Sequence, residues 1–540
     1  QPHVLRRKGA LGFEERPASS RFLPEMLETP YSPQLDRPVS MNSIAKYMRR
    51  ISIGALAVVV LLSLGACDGF LDINDNPNEA SYTDITPNPE LLFAPALVNL
   101  QSNRTIETAW TPYFVNTWAP LNGLAEAQAN YTIYPLLSGK TWVNQYTNVG
   151  KNTQLIIDAT NEADPQTASY NPGNVRAQAR IVQAYTYFYV TQFFGEVPAT
   201  QANKPDEFPN PKADEQEEIL RFVIEQWNTA IDEAEPSAGN AIQDEDLIYK
   251  GDMQKWIQFA NSLKLRAYFL LDSGGADVTS EINNLLDTAD LIRTNDQNAL
   301  FPFFDQDGRK NNAFQLKEGN GGLEFWFGCG KTVIEEMESF ASSINGLDAD
   351  PRLQVYCNPT RADGDFVGLG TDEAPNGLPL QDFSAVGDAI QRATFPNRWV
   401  TASEIWLRIA EWRARSGNLS GAQTALETGV QRSMEFFDGK PGEIPQADQT
   451  AFIDGLPDLE NLSNPIEYVQ LHQYVDYFER RPQGWTNWRR TKVPDIDPPP
   501  EARYDVIIRR WRRPPDVLSN NSNINKQIPG SRPMWFEGEN

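Results

Sequence analysis

Cys67 is the residue whose setting points most directly to chemistry. It closes the run Leu64-Gly65-Ala66-Cys67, where two small residues stand directly before a thiol. A cysteine so placed suits cleavage after Ala66 and acylation of the new N-terminus. The segment upstream has the parts of a secretory signal. Lys46, Arg49 and Arg50 form a positive start, and Ile51 to Leu64 is a run of 14 residues interrupted only by Ser and Gly. That run suits the apolar part of a signal peptide and falls short of the roughly 20 residues a spanning helix needs. Residues 41–66 are therefore expected to be a lipoprotein signal peptide starting at Met41, with Cys67 as the lipidation site. Residues 1–40 hold six prolines and no helical or strand period. They are expected to be an upstream or disordered segment outside the fold.

Catalytic chemistry has little to stand on. The chain has two histidines, His3 and His472, and His3 lies before the expected cleavage point. His472 sits among Tyr468, Leu471, Tyr474 and Val475, a setting that suits a structural histidine. The sequence holds no HExxH, GxSxG, phosphate-binding GxxxxGK or GxGxxG motif. Carboxylates are plentiful, but nothing singles out two of them as a glycosidase-type acid and base. Besides Cys67 there are Cys329 and Cys357. They either pair in an oxidising compartment or remain two partly buried thiols; both readings stand. There is no CxxC and no Cys/His metal cluster, and no cofactor is expected.

Aromatic and amide side chains are the more suggestive feature. Trp110, Tyr113, Trp118, Tyr131 and Tyr134 lie near Asn116, Asn122, Gln128 and Asn130 in sequence. A second cluster has Arg309, Asn311, Asn312, Phe325, Trp326 and Phe327 around a Gly-Asn-Gly-Gly turn. Sugars are recognised by aromatic faces against their C–H surfaces and by planar polar groups on their hydroxyls. Trp118, Tyr131, Arg309, Asn311, Phe325 and Trp326 are the candidate ligand-binding residues on this ground. Each aromatic could equally serve the core.

The elements that would position these residues are helical. Leu91–Leu100 starts the body after an Asp-, Asn- and Pro-rich tether, 68–89. Val175, Ala179, Val182, Tyr185, Tyr189 and Phe193 step by three or four, which predicts a helix over 175–194 closed by Gly195. Trp142–Asn161 is expected to be its antiparallel partner. A second pair is predicted over 214–235 and 251–271. A third is predicted over 401–415 and 420–437, with Ser420 as N-cap. A last helix is predicted over 465–478. Recurring helix pairs predict tetratricopeptide-like units, at irregular intervals. Asp272–Pro396 is expected to be loop-rich, and loops carry function when a rigid scaffold positions them. With 47 basic against 72 acidic residues, the net charge is −25. That argues against nucleic acid, whose phosphates call for Lys and Arg. Arg480, Arg481, Arg489, Arg490, Arg509, Arg510, Arg512 and Arg513 gather near the C-terminus, where ion pairs to the acidic body are expected.

Several stretches in order resemble the SusD/RagB family of Bacteroidota, its SusD-like outer-membrane lipoproteins in particular. They are Cys67-Asp68-Gly69 with Phe70–Asn74 and Asn76-Pro77-Asn78, then 176–198, 251–271, Asp350-Pro351-Arg352-Leu353, 403–417 and 485–494. The resemblance implies a mostly α fold: four tetratricopeptide-like helix pairs with an irregular ligand-binding region, as one domain over 67–540. It implies a non-catalytic surface lipoprotein that captures oligosaccharides beside a TonB-dependent, SusC-like outer-membrane transporter. It carries over no ligand residue. A protein- or peptide-binding helical scaffold is the alternative, and a glycan-cleaving enzyme the more distant one.

Overall fold

The computed structural model describes residues 88–540 except 103–109, 122–125, 128, 167, 312, 316–326, 343, 345, 374–378 and 539–540. The expected signal peptide, Cys67 and the tether up to residue 87 lie outside the described residues. Thr86–Asn540 is one compact unit. Its main elements, in order, are α1 (Pro89–Ser102), β1 (Trp118–Pro120), α2 (Pro135–Val143), α3 (Lys151–Glu162), α4 (Pro172–Phe194), α5 (Gln216–Glu233), α6 (Met253–Ser273), α7 (Thr279–Thr288), β2 (Ala299–Phe301), β3 (Phe327–Cys329), α8 (Lys331–Ala341), β4 (Asn397–Val400), α9 (Ala402–Arg415), α10 (Leu419–Glu435), α11 (Gln446–Asp454), α12 (Pro465–Asp476) and α13 (Arg481–Thr491). The fold is mostly α, as expected. Helices adjacent in sequence pack together from α3 to α7, and α9 packs against both α10 and α12.

Local chemistry sets the helix ends. The Asn171 side chain accepts the Asn174 N–H at the start of α4, where Pro172 takes the first helical position. Asp252 caps α6 by accepting the Lys255 N–H. At α10 the cap is Asn418, whose side chain accepts the Gly421 N–H. The expected cap, Ser420, lies inside the first turn, two positions after the observed one, because Asn418 both ends the turn and caps the helix. The helix expected over 142–161 is two helices, α2 and α3, joined through a π-helical turn at Asn144–Gly150.

Helix α4 is buried around nearly its whole circumference, not along one stripe. The C-terminal segment packs on its last turn. Trp511 donates its backbone N–H to the Phe193 carbonyl, and its ring centroid lies 4.8 Å from that of Phe193. Gly195 ends the helix at φ +76°, and a Cβ there would stand 2.7 Å from Arg510 Nη1. Both backbone and contact require glycine. Gly195→Ala is expected to cost about 1–3 kcal/mol, read as a lowered guanidinium midpoint at unchanged slope.

The strands are short. β1 and β3 pair antiparallel, Trp118 opposite Cys329 and Pro120 opposite Phe327. β2 and β4 pair antiparallel, Ala299 opposite Val400 and Phe301 opposite Asn397. Cys329 and Cys357 form a disulfide with Cα atoms 6.1 Å apart, which decides between the two open readings of these cysteines.

Helix α13 is absent from the sequence expectations. Its Trp485, Trp488, Arg489 and Arg490 give no amphipathic period, yet Trp485, Trp488 and Arg489 are all buried. Fixed partners make this possible. Arg489 stacks 3.6 Å from the Trp485 ring centroid. Arg490 bonds both oxygens of Glu411 at 2.6 Å. Arg480 pairs with Glu404 and Asp476, Arg509 with Glu537, and Arg510 with Glu196. The C-terminal arginines thus lock this end of the chain to the body.

Candidate functional site

His472 is fully buried on α12. Its ring stacks on Phe340 with centroids 4.0 Å apart, and Tyr468 meets it edge-on at 4.8 Å. Neither ring nitrogen has a hydrogen-bond partner. Burial, then the nearby Arg352 charge, pushes its pKa well below the usual value. It is a neutral core group with no nucleophile beside it, and this has a pH consequence. The unfolded imidazole takes a proton below about pH 6.5 while the folded one does not. Stability present above that pH is therefore lost as pH falls through it, at up to about 1.4 kcal/mol per pH unit. His472→Phe is expected to flatten the curve of unfolding free energy between about pH 6.5 and 5.5. An unchanged slope would contradict this.

Of the six candidate ligand residues, four lie among the described residues, and three of these are buried. Trp118 is 1% exposed; its ring lies between Phe327 and Phe478, with the Arg481 guanidinium 4.9 Å away. Tyr131 is 2% exposed and meets Phe114 edge-on. Asn311 is buried and holds the chain: its amide donates to the Phe395 carbonyl, and its oxygen accepts the Ala313 N–H. These three present no face to solvent, because Trp, Tyr and Asn serve cores and loop anchors as readily as binding surfaces. Phe325 and Trp326 lie outside the described residues. Arg309 is exposed.

Two concave features among the described residues hold members of the aromatic, amide or arginine candidates. The first is a cleft of about 190 Å³ beside β1. It gathers Tyr113, Asn116 and Asn130 from the first aromatic-amide cluster, and adds Glu126, Asp372 and Glu501. Asn116 holds one wall: its side chain donates to the Leu369 carbonyl and accepts the Thr332 N–H. The disulfide holds the same wall from behind, through β3.

The second is a basin of about 480 Å³ between α1 and the 301–310 segment. Its walls include Val98, Leu247, Phe301, Phe303 and Phe304, with Arg309 and Lys310 at the edge. Phe304 is 48% exposed. A tight loop fixes Phe304 beside Arg309: the Phe304 N–H donates to the Arg309 carbonyl at 2.9 Å, and the Arg309 N–H to the Gln306 carbonyl at 2.9 Å. Gly308 makes the turn at φ +76°. Beneath, Phe301 stacks on Trp399, which anchors the aromatic wall to the core. Gln101 lines the same basin at 2% exposure. Its oxygen accepts the Trp399 indole N–H at 3.0 Å, while its amide nitrogen has no acceptor among the described residues. Sequence reasoning missed Phe303, Phe304 and Gln101. The run Phe301-Pro302-Phe303-Phe304 before an Asp-Gly turn was the available signal for the two aromatics; Gln101 had none.

Among the described residues, no group of three or more His, Cys, Asp or Glu is placed to hold a metal. No described helix is long and apolar enough to cross a membrane. A family profile described as "Starch-binding associating with outer membrane", SusD-like_2, matches residues 77–514. The chain belongs to this SusD-like family. The match spans both concave features. Among solved structures, a protein titled a chitin-binding protein is similar at 20% identity, with a TM-score of 0.70 over 83% of this chain and 100% of that one. A Bacteroidetes SusD-like protein matches at 18% identity, with a TM-score of 0.69 over 84% of this chain and 100% of that one. A SusD homologue from Bacteroides fragilis matches at 19% identity, with a TM-score of 0.64 over 84% and 100%. These neighbours share the SusD-like fold. No curated protein sequence matches the chain.

Proposed function

We propose that this SusD-like chain is a non-catalytic, glycan-binding lipoprotein of the outer membrane, facing the cell exterior and serving a TonB-dependent, SusC-like transporter. Family membership supports the class. The observation that carries the reading to this molecule is the basin, where half-exposed Phe304 and partly buried Phe303 share the lining with the Gln101 amide, whose nitrogen has no acceptor among the described residues. Phe303 and Phe304 supply faces for sugar C–H surfaces, and Arg309 supplies planar donors for ring oxygens. Candidate ligand residues are therefore Phe303, Phe304 and Arg309, with Phe325 and Trp326 retained from the sequence. The disulfide supports a location outside the cytosol, where such bonds persist.

Residues 41–66 are assigned as the signal peptide, residues 1–40 as an upstream segment, and 67–540 as the mature domain anchored through Cys67. Two or more acyl chains give stable anchoring where one is marginal. Cys67→Ala is expected to leave the fold intact and move the protein from the membrane fraction to the soluble fraction. Membrane association that persists in this variant would remove the anchor from the account. The binding reading is tested by titrating oligosaccharides against the wild type and Phe304→Ala. A loss of about tenfold is expected, from one stacking contact of about 1–1.5 kcal/mol. Equal affinity would take the site away from the basin.

A further inference from the structure

The basin differs in charge from the rest of the chain. The protein carries a net −25, and the cleft beside β1 is lined by Glu126, Asp372, Glu373 and Glu501. No carboxylate lines the basin; its two charged residues are Arg309 and Lys310. The two cations are not equivalent. Lys310 pairs with Asp305 at 3.4 Å, and its ammonium lies 5.5 Å from the Phe314 ring centroid. The Arg309 side chain is exposed, and neither an ion pair nor a hydrogen bond engages its guanidinium among the described residues.

From this we infer that the basin selects a sugar carrying an anionic group, a carboxylate or a sulfate, which Arg309 clamps while the ring lies on Phe303 and Phe304. The inference rests on the glycan-binding reading and names the ligand class for the same site. Three arguments support it. A guanidinium presents paired N–H donors in a plane that matches the two oxygens of a carboxylate or sulfate. The backbone bond from Phe304 to Arg309 sets the two residues side by side on the rim, so one sugar residue can reach both. The unpartnered Gln101 nitrogen leaves a donor on the apolar floor that an entering oxygen would satisfy. An anion approaching the acidic cleft meets like charge.

The test compares an oligogalacturonate with a neutral oligosaccharide of the same length and with an acidic peptide of the same charge. Each is titrated calorimetrically against the full chain and against Arg309→Gln and Arg309→Lys. The acidic sugar is expected to bind best. Arg309→Gln should weaken it about five- to tenfold and Arg309→Lys less, with the neutral sugar losing a smaller factor, since it gives up hydrogen bonds but no charge pairing. Raising NaCl from 50 to 500 mM should weaken the acidic sugar and leave the neutral one alone. A sulfated oligosaccharide that binds as the galacturonate does supports charge over carboxylate identity. Arg309 is exposed, so an unchanged melting curve confirms that its variants fold. If the neutral sugar binds as well as the acidic one and Arg309→Gln affects neither, the anionic preference is wrong while glycan binding stands. If the acidic peptide alone binds, or no saccharide does, the glycan-binding reading falls as well.

Discussion

Glu404→Gln is expected to destabilise the fold by about 3–5 kcal/mol, a large share of the roughly 5–15 kcal/mol that holds a domain folded. Glu404 is buried on α9 and faces three arginines. Arg266 of α6 pairs with it through Nε and Nη2, one bond to each carboxylate oxygen, Arg480 bonds it at 2.7 Å, and Arg408 bonds it at 3.2 Å. Arg266 also donates to the Trp399 carbonyl at 2.6 Å. The cluster thus ties α6 to the β4–α9 junction and to the start of α13. Burial alone would raise the Glu404 pKa, but the Arg266, Arg480 and Arg408 charges outweigh it and hold the carboxyl far below the usual range. Glutamine keeps the shape and removes the charge, so buried guanidiniums lose their shared counter-ion. A partial rescue by the second change in Glu404→Gln/Arg480→Gln would identify charge imbalance as the cause, whereas additive losses would point to packing. Acid should have a related effect. Glu411 is also held down, to about 2, because Arg490 together with bonds from Gln473 and Gln470 overrides the upward push of burial. A carboxyl depressed in the fold contributes stability that is full above its unfolded pKa, near 4.3. That contribution is lost as pH falls from there toward 2, which an acid titration followed by circular dichroism measures.

Cys329→Ala/Cys357→Ala is expected to cost about 3–4 kcal/mol, from the loop-closure entropy returned to the unfolded chain. The bridge spans 28 positions, and both cysteines are buried. It also joins two short pairings that a small ladder could not hold alone. Cys329 accepts a place in β3 opposite Trp118, while Cys357 pairs with Val386, and the Val386 N–H returns to the Phe327 carbonyl at 2.9 Å. Losing the bridge should therefore loosen the wall of the acidic cleft before the helix pairs. Guanidinium unfolding gives the free energy, and hydrogen exchange at 327–330 and 384–387 gives the local effect. Equal midpoints for variant and wild type would show that the hydrogen bonds alone suffice.

The helical frame was legible because burial there follows spacing. The stripe from Val175 to Phe193 and the stop at Gly195 located α4 to within a few residues. Helix α13 was not legible, since its buried arginines depend on Glu411 and on the Trp485 ring, which no local pattern reveals. The π-helical turn was not legible either: residues 144–150, Asn-Gln-Tyr-Thr-Asn-Val-Gly, are mostly weak helix formers, which hints at a break in the helix but not at a wider turn. The candidate site was less legible still. Trp118 and Tyr131 are of the type that binds sugars, but the fold uses them as core. Arg309 was found because it lies in a polar loop, and Phe303 and Phe304 were passed over because an aromatic run before a turn also suits a strand. Gln101 became visible only when α1 and the 301–310 segment came together.

The most direct test of the account is the binding spectrum of residues 68–540 across an oligosaccharide array and a peptide panel of matched size and charge. The account predicts saturable oligosaccharide binding that is lost on Phe304→Ala, with no product released and no peptide retained. Peptide binding without any saccharide binding, or cleavage of a bound saccharide, would contradict it.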